Sequence, residues 1–123
     1  MRNNLEASHQ KVIFEWAEWN KNKYPELDML FHITNEGKRS KRMGAELKRQ
    51  GLKRGIPDIC LPVSNGKYHG LWIELKADKT KRLSKEQKEW LEKLNRYGYK
   101  AVRCNGADVA IEVIKNYLGI RGN

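Results

Sequence analysis

Two short runs of strand-forming residues, "DICLPV" and "YHGLWIELKA", are separated by Ser64-Asn65-Gly66. That triplet is a strong hairpin signal, and a hairpin fixes which side chains face one another. Side chains alternate faces along a strand. In "LWIELK", Leu71, Ile73 and Leu75 therefore share one face, and Trp72, Glu74 and Lys76 share the other. The first face is suited to a core. The second carries an acid and a lysine one step apart. A turn centred near Gly66 sets Asp58 opposite Glu74. A slip of one residue would instead oppose Asp58 to Ile73 and turn its side chain to the wrong face.

Directly opposed residues hold their Cβ atoms roughly 4.5–5.5 Å apart. Two carboxylates at that distance repel, and a divalent cation between them removes the repulsion. Hard oxygen donors from Asp58, Glu74 and the backbone carbonyl of Leu75 select Mg²⁺ or Mn²⁺ over zinc. A cation held open to solvent polarises a phosphate oxygen and lowers the pKa of bound water. Lys76 would orient that water and offset charge building up on the phosphate. The blander alternative is a surface ion pair between Glu74 and Lys76, which is worth little. Pro57-Asp58, the hairpin and Glu74-Leu75-Lys76 taken together weigh against it.

The remaining patterns frame this hairpin. Residues 4 to 22 read as a helix, with Leu5, Val12, Trp16 and Trp19 in an apolar stripe. Glu6 lies at the edge of that stripe, almost in line with Ile13. "YPE" ends the helix at Pro25. "DMLFHIT" reads as a strand with Met29, Phe31 and Ile33 on one side. Pro62, inside the first hairpin strand, suggests an edge position or a bulge. "LSKEQKEWLEKLNRYG" is the clearest helix. Ser84 and Gln87 have capping-box spacing, Trp90, Leu91 and Leu94 give an apolar side, and Gly98 a stop. "YKAVRC" is a strand, and "ADVAIEVIKNYLG" a helix with Val109, Val113, Ile114 and Tyr117 on one face. The order predicts a single α/β domain over residues 1–123, with a central mixed sheet of about four strands flanked by helices.

The chain carries 25 Lys+Arg against 15 Asp+Glu, a net charge of +10, which favours a polyanionic partner. Eight basic residues and one acid, Glu46, lie between Lys38 and Arg54. Ser40 to Gln50 can form a short helix. Lys38, Arg39, Lys41, Arg42, Lys48, Arg49, Lys53 and Arg54 are therefore the expected nucleic-acid contacts, to phosphate rather than to bases. The N-terminus has no apolar signal segment, and no run is apolar enough to span a membrane, so a cytoplasmic, intracellular protein is expected. Cys60 and Cys104 are expected as isolated buried thiols. His9, His32 and His69 form no ligand set by spacing. The four tryptophans read as core or interface, with Trp72 the one on the face of Glu74 and Lys76.

"PD", a hairpin and "ELK" together resemble the PD-(D/E)XK nuclease motif, here Pro57-Asp58 and Glu74-Leu75-Lys76. The chain is most similar to the VRR-NUC branch. It has a glutamate in the first helix (Glu6), Asn35-Glu36-Gly37 before a basic stretch, Gly55-Ile56-Pro57-Asp58, and a helix opening Ser84 to Gln87. The resemblance implies a restriction-endonuclease-like core and Mg²⁺- or Mn²⁺-dependent cleavage of DNA. It implies metal ligation by Asp58, Glu74 and the Leu75 carbonyl, with Glu6 completing the acidic cluster directly or through water. Lys76 would be the catalytic lysine, with Gln87 beside it. Small stand-alone members of this branch, often phage or bacterial, suggest a homodimer selective for branched or four-way (Holliday) junction DNA. Alternatives stay open: Gln87 as a cap alone, Glu6 as a favourable first-turn acid, and the whole chain as a non-catalytic DNA- or RNA-binding module.

Overall fold

The computed structural model describes residues 4–33 and 41–120. The elements run α1 (Asn4–Asn20), a 3-10 helix (Pro25–Met29), β1 (Phe31–His32), α2 (Lys41–Arg49), β2 (Ile59–Leu61), β3 (Leu71–Lys76), α3 (Lys85–Arg96), β4 (Lys100–Asn105) and α4 (Ala107–Leu118). The four strands form one sheet in the order β1-β2-β3-β4. The first two pairings are antiparallel, while β3 and β4, joined through α3, are parallel. The sheet is therefore mixed, as expected.

The alternation along β3 divides the molecule. Leu71, Ile73 and Leu75 are fully buried and join Ile13 and Ala17 of α1 and Ala110, Ile114 and Tyr117 of α4 in one core. The opposite face carries Trp72, Glu74 and Lys76. Cys60 and Cys104 are buried free thiols, and burial pushes each up to about 11.

Several sequence expectations are corrected. Of the expected stripe, Leu5, Val12 and Trp19 face outward, at 54%, 46% and 86% exposure, while Trp16 packs half-buried against the core, and the buried side chains of α1 are Ile13 and Ala17. The packing of α1 against α4, where Ala107 and Ala110 are buried, turns the row of Ile13 and Ala17 to the core instead. Glu6 falls on the row of Ile13 and Ala17, on a helix of 3.6 residues per turn. The strand expected across "DMLFHIT" is only Phe31–His32. The residues before it form a 3-10 helix that starts at Pro25, where a missing N–H costs nothing, and buries Leu27, with Leu30 buried just beyond it. Met29 and Phe31 are exposed. Pro62 sits just beyond β2, which is an inner strand. Val109 is exposed on α4, where Ala107, Ala110, Ile114 and Tyr117 are buried.

Candidate active site

The hairpin register places Ile59 against Ile73, Cys60 against Trp72 and Leu61 against Leu71. One further step opposes Asp58 to Glu74, as the turn at Gly66 predicts. The connection is longer than a tight turn, running through residues 62–70. Asn65 organises it by accepting bonds from the N–H groups of Lys67 (3.0 Å) and Tyr68 (2.8 Å).

β2 starts at Ile59, so Asp58 lies just outside the ladder. Its backbone carbonyl accepts from Ile33 N–H at 2.7 Å, and its Oδ2 accepts from Leu75 N–H at 2.9 Å. The carboxylate thus stands in for a ladder acceptor. Pro57, fully buried, would be the residue opposite Leu75. In an antiparallel pair the N–H and C=O of one residue point to the same edge. The Leu75 carbonyl therefore points toward Asp58, and Pro57 has no N–H to give it. Proline at this position keeps a carbonyl oxygen open beside two acids.

Glu74 and Asp58 are the buried charged residues of the core region, at 2% and 5% exposure. A buried carboxylate must be held by opposite charge or hydrogen bonds. Glu74 Oε2 accepts from Gln87 Nε2 at 3.2 Å and lies 3.8 Å from Lys76 Nζ. Gln87 does two jobs. Its Oε1 accepts from Ser84 N–H at 2.8 Å, while its own N–H donates to Ser84 Oγ at 3.1 Å, completing the capping box of α3. Capping and the contact to Glu74 coexist because the start of α3 abuts β3.

Gly55 explains how the loop before Asp58 meets that helix start. It has φ +85°, and a Cβ there would lie 2.6 Å from the backbone carbon of Glu86 and 2.7 Å from Gln87 N. Only glycine permits both the positive φ and the backbone contact. The first turn of α3 is held between Gly55 and Glu74.

The structure therefore brings Asp58, Glu74, Leu75, Lys76 and Gln87 together. Glu6 is partly buried in the first turn of α1. Among the described residues, no group of three or more His, Cys, Asp or Glu side chains is gathered closely enough to hold a metal. The donor set that does fit a hard divalent cation is two adjacent buried carboxylates and the Leu75 carbonyl.

His9 Nδ1 accepts from Ala107 N–H at 3.0 Å and so caps α4, whose N-cap Gly106 offers no side chain. Its observed role is structural. Trp72 is half-buried and packs edge-to-face on Tyr99. Lys48, Arg49, Lys53 and Arg54 are exposed, and Arg49 pairs with Glu46 at 3.0 Å. Asn35, Glu36, Gly37, Lys38 and Arg39, and the side chains of Lys41 and Arg42, lie outside the described residues. Motif reading does not single out Gly55's packing or the cations between Lys79 and Lys88. The charge density of "KTKRLSKEQK" is visible in the chain but carries no motif.

Comparison with known proteins follows the same lines. The model of the VRR-NUC domain family matches residues 4–108. A solved structure described as a VRR_NUC domain protein superposes with a TM-score of 0.81 at 32% identity, covering 98% of this chain and 93% of that one. No curated protein matches the chain.

Proposed function

The chain belongs to the VRR-NUC domain family, a family of DNA nucleases, and from that premise we propose that it is a metal-dependent endonuclease selective for branched DNA. The observation that carries the reading is the cluster of buried Asp58 and Glu74 with half-buried Lys76 and Gln87 around the Leu75 backbone. A non-catalytic binding module has no use for two buried acids set face to face.

Mg²⁺ or Mn²⁺, held by Asp58, Glu74 and the Leu75 carbonyl, would polarise the phosphate and activate the attacking water. The Leu75 N–H fixes the Asp58 carboxylate, and Gln87 fixes that of Glu74. Lys76 offsets charge on the phosphate in the transition state. Water attacks phosphorus in line, the P–O3′ bond breaks, and the 3′ oxygen leaves and takes up a proton. Lys38, Arg39, Lys41, Arg42, Lys48, Arg49, Lys53 and Arg54 hold the backbone of the DNA.

The reading extends to a homodimer with two sites for the two sides of a junction. Leu5, Val12 and Trp19 follow one another at seven-residue spacing along α1 and give it an exposed apolar strip, the kind of surface that marks association. Among the described residues, no helix is long and apolar enough to cross a membrane.

A cleavage panel with Mg²⁺ or Mn²⁺ on duplex, single-stranded, flap and four-way junction DNA tests the activity. Cutting is expected with either metal, to stop on chelation, and to favour the branched substrates. No cutting of any substrate sinks the nuclease reading, and equal cutting of all four sinks the selectivity. Sedimentation at micromolar concentration should show a dimer; monomer alone rules it out.

A further inference from the structure

We propose that the cleft between the loop following β3 and the first turn of α3 is a second phosphate-binding site, which takes a backbone phosphate of the nucleic acid beside the one facing Asp58 and Glu74. It rests on the reading above in taking DNA as the ligand.

The cleft, of about 310 Å³, is lined by Lys79, Lys81, Arg82, Leu83, Lys88 and Arg103. Five of these six are cations. None of them has a carboxylate within ion-pair distance among the described residues. Charges gathered this closely repel one another, so an anion entering the cleft relieves them and releases the counterions they hold.

The loop is constructed rather than loose. The Asp78 carboxylate accepts from the N–H of Thr80 at 2.8 Å and from its hydroxyl. Lys81 N–H donates to the Asp78 carbonyl at 3.3 Å. Arg103 ties the loop to β4. Its Nη2 donates to the carbonyls of Asp78, at 3.0 Å, and Lys81, and its Nε donates to Asn105 Oδ1 at 2.7 Å. Asp78 is the acid of the loop itself. The Thr80 hydrogen bonds, then Lys81 and Arg103, hold its carboxyl below the usual range, so it offsets one of the positive charges. An excess of cations remains, with Lys79, Lys81, Arg82 and Lys88 all exposed.

The cleft continues the catalytic face. In the parallel pairing, Glu74 is the register partner of Arg103, and Lys76 of Asn105. Register partners project to the same side of the sheet, and neighbouring strands are about 4.8 Å apart. Lys88 directly follows Gln87, the residue that holds Glu74. One nucleic-acid strand therefore reaches both the acids and the cleft. Flexible exposed lysines around an open cleft suit a phosphodiester backbone better than a small anion, which needs enclosure.

The test is equilibrium binding of a fluorescent 25-base-pair duplex across a salt series, in chelator so that nothing is cut. The variant is Lys81→Gln/Arg82→Gln/Lys88→Gln, with Arg103 left in place because it anchors the loop. The slope of log affinity against log salt should flatten by about one to two. Over a fourfold rise in salt, that is about a four- to sixteenfold smaller loss of affinity. A control variant, Lys11→Gln/Lys23→Gln/Lys67→Gln, removes equal charge elsewhere and should keep the parent slope. An unchanged slope in the cleft variant overturns the proposal, as does an equal loss in the control, which would make the effect one of net charge. If the parent binds DNA but never cuts it, the nuclease reading fails while the slope still decides the cleft.

Discussion

The corner where β3 meets α3 and the helix α2 both carry charged side chains, and they are built in opposite ways. At the corner, Asp58 is held by a backbone N–H, Glu74 by Gln87 and Lys76, and Gln87 by Ser84. On α2, none of the described side chains is buried, and Glu46 bonds to Arg49 and Gln50 along its own stretch of chain. The difference fits the two tasks the proposed function assigns them. Hydrolysis depends on reacting groups placed within fractions of an ångström. Attraction of a phosphate backbone is long-ranged and tolerates mobile lysines.

The sharpest way to break this comparison is to remove charge from each region in turn. Asp58→Ala or Lys76→Ala should cut turnover by about a thousandfold or more, in the range of removing a transition-state or nucleophile-activating group. Duplex affinity measured in chelator should stay within about threefold of the parent. The variant Lys48→Gln/Lys53→Gln/Arg54→Gln should do the reverse. It should lose about ten- to fiftyfold in affinity, with a salt slope flatter by up to about three, yet turn over at the parental rate when DNA saturates it. If this variant is slow at saturation, the basic segment of α2 and the loop after it positions the reacting phosphate and the division between the regions fails.

The same contrast governs how much could be read from the sequence. The hairpin was legible because period-two alternation about a connection centred near Gly66 opposes Asp58 to Glu74, and the observed pairing keeps that register although the connection is longer than a tight turn. The capping box was legible because Ser84 and Gln87 are local. What was not legible is non-local. The pressure of Gly55 on Glu86 depends on where α3 docks, and so does the reach of Gln87 to Glu74, which only the family resemblance placed at the site. The buried face of α1 was misread for a related reason. Hydrophobicity marked Leu5, Val12 and Trp19, but the close packing of α1 against α4 chose Ile13 and Ala17. That same choice moves Glu6 from the edge of a stripe onto the line of the buried row.

Gln87 allows the two links at the corner to be separated, with smaller effects. Ser84→Ala removes the acceptor for Gln87 N–H while leaving the Gln87 amide free to donate to Glu74. It should cost about 1 kcal/mol of stability, seen as about a 3–5 °C fall in Tm, with cleavage unchanged. Gln87→Glu keeps an acceptor for Ser84 N–H, because glutamate serves a capping box as well as glutamine does. It removes the donor to Glu74 and sets a carboxylate against a carboxylate. Stability should hold at the cap while kcat falls by about tenfold, the worth of one hydrogen bond to a charged group, about 1.5 kcal/mol. Melting curves and single-turnover cleavage on the same preparations separate the outcomes. If Ser84→Ala slows cleavage as much as Gln87→Glu does, the helix start as a whole positions Glu74, and the amide of Gln87 has no distinct part in it.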